Sequence, residues 1–235
     1  MKAYLLAAGE GTRLRPLTYK IPKCLVTVKG KPLLHYWFRL FEKYGITEVL
    51  INLYHLPHLV DDFLSKNSYK LKVTKFYEKN LLGTAGTIAA NKEFVKGEKE
   101  FFIFYADNLT NMNLTRFLNY HRSHNSFFTM GLFRTNIPKQ CGIAELDENG
   151  LITHFEEKPK NPKTNLANAG VYISGPEIFD ILSTVEKELL SSIDFGHHIL
   201  PKLVGKMHGY IIKEFFLDIG TWDNYEKAQE EWEGG

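Results

Sequence analysis

A glycine-rich stretch near the start of the chain carries the residues best suited to chemistry. The sequence LLAAGEGTRLRPLT (5–18) places Gly9 and Gly11 after a short apolar run, and two cations, Arg13 and Lys23, follow. Glycines allow backbone N–H groups to converge on an anion, arginine binds phosphate oxygens as a fork, and lysine acts as a point charge. The pattern favours a loop for the phosphates of a mononucleotide, with an ordinary strand-to-helix turn as the alternative interpretation.

Two familiar phosphate loops do not fit this stretch. A dinucleotide fingerprint that starts at Gly9 needs a third glycine at position 14, where the chain has Leu14. The acidic residue expected near position 54 is also missing, since Tyr54 and His55 occupy that place. The chain contains no G-x-x-x-x-G-K-[ST] segment. The sequence therefore excludes the dinucleotide fingerprint and the Walker loop.

Further candidate residues follow strand-like or turn-like segments. Asp107 ends FFIFYAD and Asp218 ends KEFFLD. In FEEKP (155–159), Pro159 should hold Lys158 extended, although this segment taken alone is typical of a solvated turn.

The adjacent histidines His197 and His198 raise the question of a metal site. Neighbouring residues on a helix point about 100° apart, which makes them a poor chelating pair. We therefore expect a structural or acceptor-loop role for this pair.

These residues need a scaffold, and the first half of the chain alternates strand and helix signals. The predicted strands are 3–7, 47–54, 71–78 and 100–107, and the predicted helices are 31–45, 56–66 and 84–94. This order predicts an α/β fold with a Rossmann-like mixed, mainly parallel sheet and helices on both faces. The second half is strand-rich, with DENG (147–150) as a hairpin turn, and predicts an acceptor-side insertion. In such sheets ligands lie at the carboxyl ends of the strands.

Composition narrows the function classes. The chain of 235 residues has a formal net charge of +2 and a pI of about 8.3, which favours neither nucleic acid nor an acidic membrane as a partner. Cys24 and Cys141 are far apart and form no CxxC pair, so a reducing cytosol is the expected compartment. The first apolar run is too short for a signal peptide, and no segment is long enough to span a membrane. We therefore expect a cytoplasmic protein.

The motifs together resemble the sugar-1-phosphate nucleotidylyltransferases, also called nucleotide-sugar pyrophosphorylases. The resemblance covers nearly the whole chain in the family's order. It rests on LAAGEGTRLRPLT, PKCLVTVKGKPLL, LGTAG (82–86), YADN (105–108), FEEKP, NAGVYI (168–173) and DIGTWDNY (218–225). It implies one nucleotidyltransferase domain over 1–235, with 1–111 mainly binding the nucleotide and 112–235 mainly binding the sugar phosphate.

In this family an oxygen of the sugar 1-phosphate attacks the α-phosphorus of a nucleoside triphosphate and expels pyrophosphate. By resemblance, Arg13 holds the leaving pyrophosphate and Lys23 lies near the α-phosphate. Asp107 and Asp218 are implied to bind Mg²⁺, which completes the catalytic set. The family usually has glycine before the first aspartate, where this chain has Ala106, and we expect a small backbone shift there. The residues implied to bind the nucleotide are Ala8, Gly9, Gly11, Thr12, Glu78, Gly83 and Thr84.

The resemblance also assigns the acceptor side. Lys158 would bind the phosphate of the sugar phosphate, and Glu157 would bind sugar hydroxyls. Asn168 and Gly170 would add a polar contact and a close backbone approach. Gly142 matches a family glycine near the sugar. Cys141 stands where the family commonly has tyrosine, which leaves open what this position contacts on the acceptor side.

The substrates follow less directly from the sequence. LGTAG is similar to guanylyltransferases acting on mannose or heptose 1-phosphate, so GTP with such a sugar phosphate is expected. The alternatives are UTP- or CTP-dependent transfer to another sugar or small-molecule phosphate, and a catalytically silent nucleotide-sugar sensor. The presence of Arg13, Lys23, Asp107 and Asp218 argues against the sensor. A homo-oligomer is compatible with the sequence, and no β-helix extension is expected.

Overall fold

Parallel strands from the first apolar runs form the sheet that carries the first candidate loop. The structure, a computed structural model, describes residues 1–189 and 192–234. It divides into two compact units: Met1–Leu81 with Phe104–Met112 and Glu214–Gly235, and Leu82–Ile103 with Asn113–Lys213. In the first unit, β1 (Lys2–Leu6), β4 (Glu48–Leu53) and β5 (Lys72–Tyr77) pair in parallel. The strand β6 (Phe101–Tyr105) ends in this unit, where the Ala106 N–H just after it donates to the Leu6 carbonyl at 2.9 Å.

The helix α1 (Leu33–Lys43) supplies much of the core of the first unit. It begins after Pro32 and ends before Gly45, whose φ of +71° suits a residue without a side chain. The Trp37 ring packs 4.9 Å from that of Phe104, between centroids. The first unit also contains β2 (Thr27–Val28), β3 (Lys31–Pro32) and α2 (Pro57–Lys66).

A short antiparallel ladder brings two distant parts of the chain together in the first unit. The strand β7 (Asn108–Thr110) pairs with β13 (Phe216–Asp218), so that Asn108 is opposite Asp218. The Ile219 N–H also donates to the Asp107 carbonyl at 2.9 Å. The helix α7 (Trp222–Glu231) follows, and its Ala228 is buried with Leu109 and Ile219 in one apolar cluster. This ladder fixes the aspartate of the last strand beside the end of β6.

The second unit is dominated by antiparallel strands. The strand β11 (Leu166–Ser174) pairs with β8 (Phe128–Arg134) and β9 (Gly142–Leu146), β9 pairs with β10 (Ile152–Glu157), and β12 (His208–Ile211) is parallel to β8. Its helices are α3 (Thr84–Ala90), α4 (Leu114–Ser123), α5 (Ile178–Glu188) and α6 (Leu200–Leu203). A π-helical turn spans Phe195–Ile199.

The predicted α/β fold with a mixed, mainly parallel sheet and helices is confirmed. The turn predicted at 147–150 is also confirmed, because the Gly150 N–H donates to the Asp147 carbonyl between β9 and β10. The helix predicted over 84–94 ends earlier, at Ala90, where the Asn91 side chain donates to the Thr87 carbonyl. A 3₁₀ turn, Lys92–Val95, follows it.

None of the helices in the described part of the chain is both long and apolar enough to cross a membrane. Cys24 and Cys141 are free thiols, and Cys24 is buried.

Candidate functional site

The glycine-rich loop leaves the carboxyl end of β1 and folds back on itself. Gly11 has a φ of +63°, and a Cβ there would lie 2.9 Å from the Thr18 methyl group. The Thr18 hydroxyl donates to the Gly11 carbonyl at 2.8 Å, and Thr12–Leu14 form a 3₁₀ turn. At Gly9, by contrast, no atom of the described residues other than its chain neighbours lies within 4 Å of the position a Cβ would take. The loop therefore combines one glycine required by packing with one that leaves open space, while Ala8 is buried and Thr12 is exposed.

Lys23 bridges two carboxylates in the first unit. It opens a 3₁₀ turn after Pro22, and only 10% of its side chain is exposed. Its Nζ donates to Asp107 Oδ2 at 2.5 Å and lies 3.6 Å from Asp218 Oδ1. A buried charge is stable only when it is paired, so the two aspartates and the lysine hold one another in place.

Asp218 is the electrostatically unusual member of this group. Burial, followed by repulsion from Asp107, raises the pKa of its carboxyl, while Lys23 and Arg13 oppose that rise. Its Oδ1 atom is buried and makes no close hydrogen bond among the described residues, while the Lys23 ammonium lies 3.6 Å away. Buried carboxylate oxygens are normally satisfied, so this atom is suited to an oxygen-seeking cation. Asp107 and Asp218 thus fit the pair of carboxylates that Mg²⁺ prefers.

Arg13 lies at the exposed side of the same group. Its side chain is 60% exposed, and Nη2 is 4.0 Å from Asp218 Oδ2. Gly220 packs against both, because a Cβ there would be 2.7 Å from Arg13 Nη2 and 2.8 Å from Asp218 Oδ1. A side chain at the glycine of DIG would therefore displace the ends of Arg13 and Asp218, and the sequence interpretation did not identify this glycine.

Asn52 is a second residue that the sequence interpretation missed. Its side chain accepts from the Ala7 N–H at 2.7 Å and donates to Glu78 Oε1 at 2.8 Å. Both side chains are buried, and they join the carboxyl ends of β1, β4 and β5. The only available signal was a polar residue inside the apolar run VLINLY. Glu78 thus has a structural role, and its predicted contact with the nucleotide stays a prediction.

Gly83 and Thr84, in the second unit, hold a neighbouring segment of the chain. Gly83 has a φ of +80°, and a Cβ there would overlap the Ile193 carbonyl. The Thr84 hydroxyl donates to Asp194 Oδ2 at 2.9 Å and accepts from the Phe195 N–H at 2.8 Å. No side chain caps the start of α3, where Gly83 is the N-cap residue. The predicted nucleotide contacts of both residues are untested.

The carboxylate of Glu157 fits between two glycines of the second unit. A Cβ at Gly142 would overlap its Oε2, and a Cβ at Gly196 would lie 2.7 Å from the same atom. Burial raises the pKa of this carboxyl, Lys158 and His197 lower it, and Asp194 raises it further. The glycine predicted at 142 is thus explained by the space that the carboxylate needs.

Lys158 does not have the predicted extended conformation. Its φ is +51°, in the left-handed region, which is unusual for any residue except glycine and asparagine. The strand β10 ends at Glu157, and the Lys158 N–H donates to the Cys141 carbonyl at 3.0 Å. That hydrogen bond and the end of the ladder override the local preference set by Pro159. Strain of this kind is concentrated at functional sites.

Asn168 shapes a bulge in β11. The register against β8 shifts between Asn168 and Tyr172. Asn168 accepts from the Gly170 N–H at 2.9 Å and donates to the Tyr172 hydroxyl at 2.8 Å, while Gly170 has a φ of +61°. Both predicted residues therefore belong to one local structure, and their contact with a sugar stays a prediction.

His197 and His198 lie on the π-helical turn with their ring centroids 6.2 Å apart. His198 Nδ1 accepts from the Asp194 N–H at 2.9 Å, while His197 is exposed. No group of three or more histidine, cysteine or acidic residues suited to a metal occurs within residues 1–189 and 192–234.

Similarity to known proteins indicates the family of this chain. The nucleotidyl transferase family model matches residues 2–234. Mannose-1-phosphate guanylyltransferase 1 of Arabidopsis thaliana is 31% identical over 96% of this chain and 63% of its own length. The low-salt glycan biosynthesis nucleotidyltransferase Agl11 of Haloferax volcanii is 31% identical over 98% of this chain and 64% of its own length. The chain thus spans less than two thirds of these relatives.

A solved structure has the same fold. It is described as a candidate glucose-1-phosphate thymidylyltransferase from Bacillus anthracis in complex with a sucrose. The TM-score is 0.84 at 21% identity, over 97% of this chain and 94% of that chain. At this identity the likeness concerns the fold alone.

Proposed function

Because this chain belongs to the nucleotidyl transferase family, we propose that it transfers a nucleoside monophosphate from a nucleoside triphosphate to a sugar 1-phosphate. An oxygen of the sugar 1-phosphate forms a bond to the α-phosphorus, and the bond from that phosphorus to the oxygen bridging the α- and β-phosphates breaks. Pyrophosphate leaves with the electron pair of the broken bond. The product is a nucleoside diphosphate sugar.

The observation that carries this proposal is the group formed by Lys23, Asp107, Asp218 and Arg13. Phosphoryl transfer between two anions depends mainly on positioned positive charge. Lys23 is held by two carboxylates and is thus pre-positioned, whereas the guanidinium of Arg13 is largely exposed and available to phosphate oxygens. Asp107 and Asp218 would hold Mg²⁺. When bound, this ion would neutralise charge on phosphate oxygens.

On the acceptor side, the proposal relies on Glu157 and Lys158. A carboxylate accepts hydrogen bonds from sugar hydroxyls, and an ammonium group binds phosphate. The glycines around Glu157 give its carboxylate a defined placement in the second unit, and the exposed Lys158 follows it with a left-handed backbone. For the substrates we propose GTP and mannose 1-phosphate, or a related hexose or heptose 1-phosphate. The LGTAG segment and the name of the Arabidopsis relative support this choice.

The experiment that tests this function is a substrate grid. Release of pyrophosphate would be measured with Mg²⁺ for GTP, UTP, dTTP, CTP and ATP, each combined with a panel of hexose and heptose 1-phosphates. We expect one dominant combination, containing GTP, and no release when Mg²⁺ is chelated.

A dominant combination with another base would overturn the proposed nucleotide but retain the reaction. A blank grid from folded protein that still binds a nucleotide would overturn transfer to sugar phosphates. It would favour either a different phosphate acceptor or a nucleotide-sugar sensor.

A further inference from the structure

A short segment of the second unit directly contacts three of the residues predicted to bind substrates there, which are Gly83, Thr84 and Glu157. We call Ile193–His198 the strap. Neither the family resemblance nor the names of the relatives gives it a role. Its contacts within the second unit include backbone hydrogen bonds to the start of α3, a buried ring, a carboxylate and a close glycine.

The strap is attached to the start of α3 by its backbone. The Ile193 carbonyl accepts from the Ala85 and Gly86 N–H groups at 2.9 and 3.1 Å, and the Ile193 N–H donates to the Leu82 carbonyl at 2.8 Å. The first N–H groups of a helix have no partner within it. A carbonyl of the strap therefore satisfies donors that would otherwise be available at the LGTAG segment.

A carboxylate completes this attachment. Asp194 accepts from the Thr84 hydroxyl at 2.9 Å through Oδ2 and from the His197 N–H at 3.1 Å through Oδ1. The second bond makes Asp194 the N-cap of the π-helical turn. One side chain thus links the start of α3 to the turn that carries Gly196.

The strap then extends to the acceptor-side residues. Phe195 is fully buried, and its ring is stacked at 5.4 Å on that of Tyr172, whose hydroxyl accepts from Asn168. Gly196 comes so close to Glu157 that even a methyl group there would be 2.7 Å from Oε2. The positions of Asn168 and Glu157 therefore both depend on where the strap lies.

We propose that Asp194 is a positioning residue for the residues that bind the sugar phosphate. It holds Gly196 against the Glu157 carboxylate and links this contact to the start of α3. This inference rests on the proposed function for its kinetic consequence. It differs from that function in naming a residue that touches no substrate and acts through the strap.

The test compares Asp194→Ala with Asn113→Ala. Asn113 is a matched control, because it caps α4 in the same unit by accepting from the Arg116 N–H at 3.0 Å, the same type of bond that Asp194 makes. With GTP and mannose 1-phosphate, or the best pair from the grid, we expect Asp194→Ala to raise the KM for the sugar phosphate about tenfold or more. The KM for the nucleotide should rise by a smaller factor, since Asp194 also accepts from the Thr84 hydroxyl, and Asn113→Ala should leave both KM values within about twofold. Asp194→Asn, which keeps an acceptor oxygen, should recover most of the loss.

Hydrogen exchange of the same variants provides a readout that needs no turnover. Asp194→Ala should accelerate exchange in residues 83–86 and 155–158, and Asn113→Ala should not. If Asp194→Ala does not fold, Gly196→Ala tests the same contact, and it should raise the KM for the sugar phosphate while leaving exchange at 83–86 unchanged.

Three results would overturn the inference. They are unchanged exchange at 155–158 in Asp194→Ala, equal effects on the two KM values, and equal kinetics of the Asp194 and Asn113 variants. Absence of turnover by the wild type across the grid would count against the proposed function instead, and the exchange data would still decide the role of the strap.

Discussion

At the scale of single residues, the two carboxylates around Lys23 make the most direct prediction. Asp107→Asn and Asp218→Asn each remove a negative charge that pairs with the Lys23 ammonium and would bind Mg²⁺. We expect turnover to fall by about a hundredfold or more, because pre-positioned charge of this kind contributes about 3–4 kcal/mol to the transition state. Release of pyrophosphate measures the loss, and circular dichroism checks the fold.

The matched control is Asp62→Asn. Asp62 is an exposed aspartate of α2 in the same unit, and its substitution should leave the rate unchanged. Rates of Asp107→Asn or Asp218→Asn close to the wild type would remove these residues from the catalytic set.

Lys158 makes a second prediction because its charge and its backbone can be tested separately. Both Lys158→Ala and Lys158→Gly remove the cation, and both should raise the KM for the sugar phosphate by about tenfold or more. Glycine tolerates the φ of +51° without strain, whereas alanine does not. The glycine variant should therefore be more stable by about 1 kcal/mol, which urea unfolding measures. A selective loss of affinity for the nucleotide would show that Lys158 is misassigned.

At the scale of secondary-structure elements, Asn52 joins the strand ends beside the glycine-rich loop. Asn52→Leu removes its hydrogen bonds to the Ala7 N–H and to the buried Glu78 carboxylate. Losing hydrogen bonds to buried groups costs about 1–3 kcal/mol, so the urea midpoint should fall accordingly. Asn67→Ala, at the exposed end of α2, is the control and should have a small effect. An unchanged midpoint in Asn52→Leu would show that the bridge does not stabilise these strand ends.

Elements were predictable where the signal is local. Strands and helices of the first half follow from apolar periodicity, and Gly45 and Pro32 mark the bounds of α1. The early end of α3 at Ala90 and the π-helical turn were not predictable. Each depends on side-chain contacts, such as that of Asn91 with the Thr87 carbonyl, which local propensity does not encode.

The candidate site was only partly predictable, because several of its contacts join residues that are far apart in the sequence. Asp107 could be identified at a strand end, but its pairing with Asp218 requires the ladder between β7 and β13, which joins residues far apart in the chain. Glu157 and Gly142 belong to neighbouring strands, whereas Gly196 reaches the same carboxylate from a turn much later in the sequence. The left-handed conformation of Lys158 contradicts the local rule for residues before proline, since tertiary hydrogen bonding overrides it.

At the scale of the whole molecule, buried histidine makes stability depend on pH. His121 is 4% exposed, and its Nδ1 is 2.8 Å from the Thr129 hydroxyl. The charged or titratable groups that act on it are Glu100, Arg122, Glu177 and His208. Burial lowers the pKa of His121 below the ordinary value of 6.5. Below pH 6.5 the unfolded chain therefore binds a proton that the folded chain does not, and the free energy of unfolding should fall as the pH drops. Burial lowers the pKa of His35 and His208 in the same direction.

Urea unfolding between pH 7.5 and 5.5 measures this dependence. His121→Gln should reduce the slope, whereas substitution of the half-exposed His154 by glutamine should leave it unchanged. A free energy of unfolding that rises as the pH falls from 7.5 to 5.5 would contradict a lowered pKa of His121 in the folded protein.

The group formed by Lys23, Arg13 and the two aspartates has a thermodynamic consequence for ligand binding. Arg13 and Lys23 carry two formal positive charges, and Asp107 and Asp218 carry two negative ones, so together they are electrically neutral. A bare nucleoside triphosphate would be repelled by the two aspartates as well as attracted by the two cations, and a divalent cation would be repelled by the cations as well as attracted by the aspartates. Each ligand supplies the charge that favours the other, and linkage requires that both affinities rise by the same factor. The protein should therefore select the ion–nucleotide complex over either component.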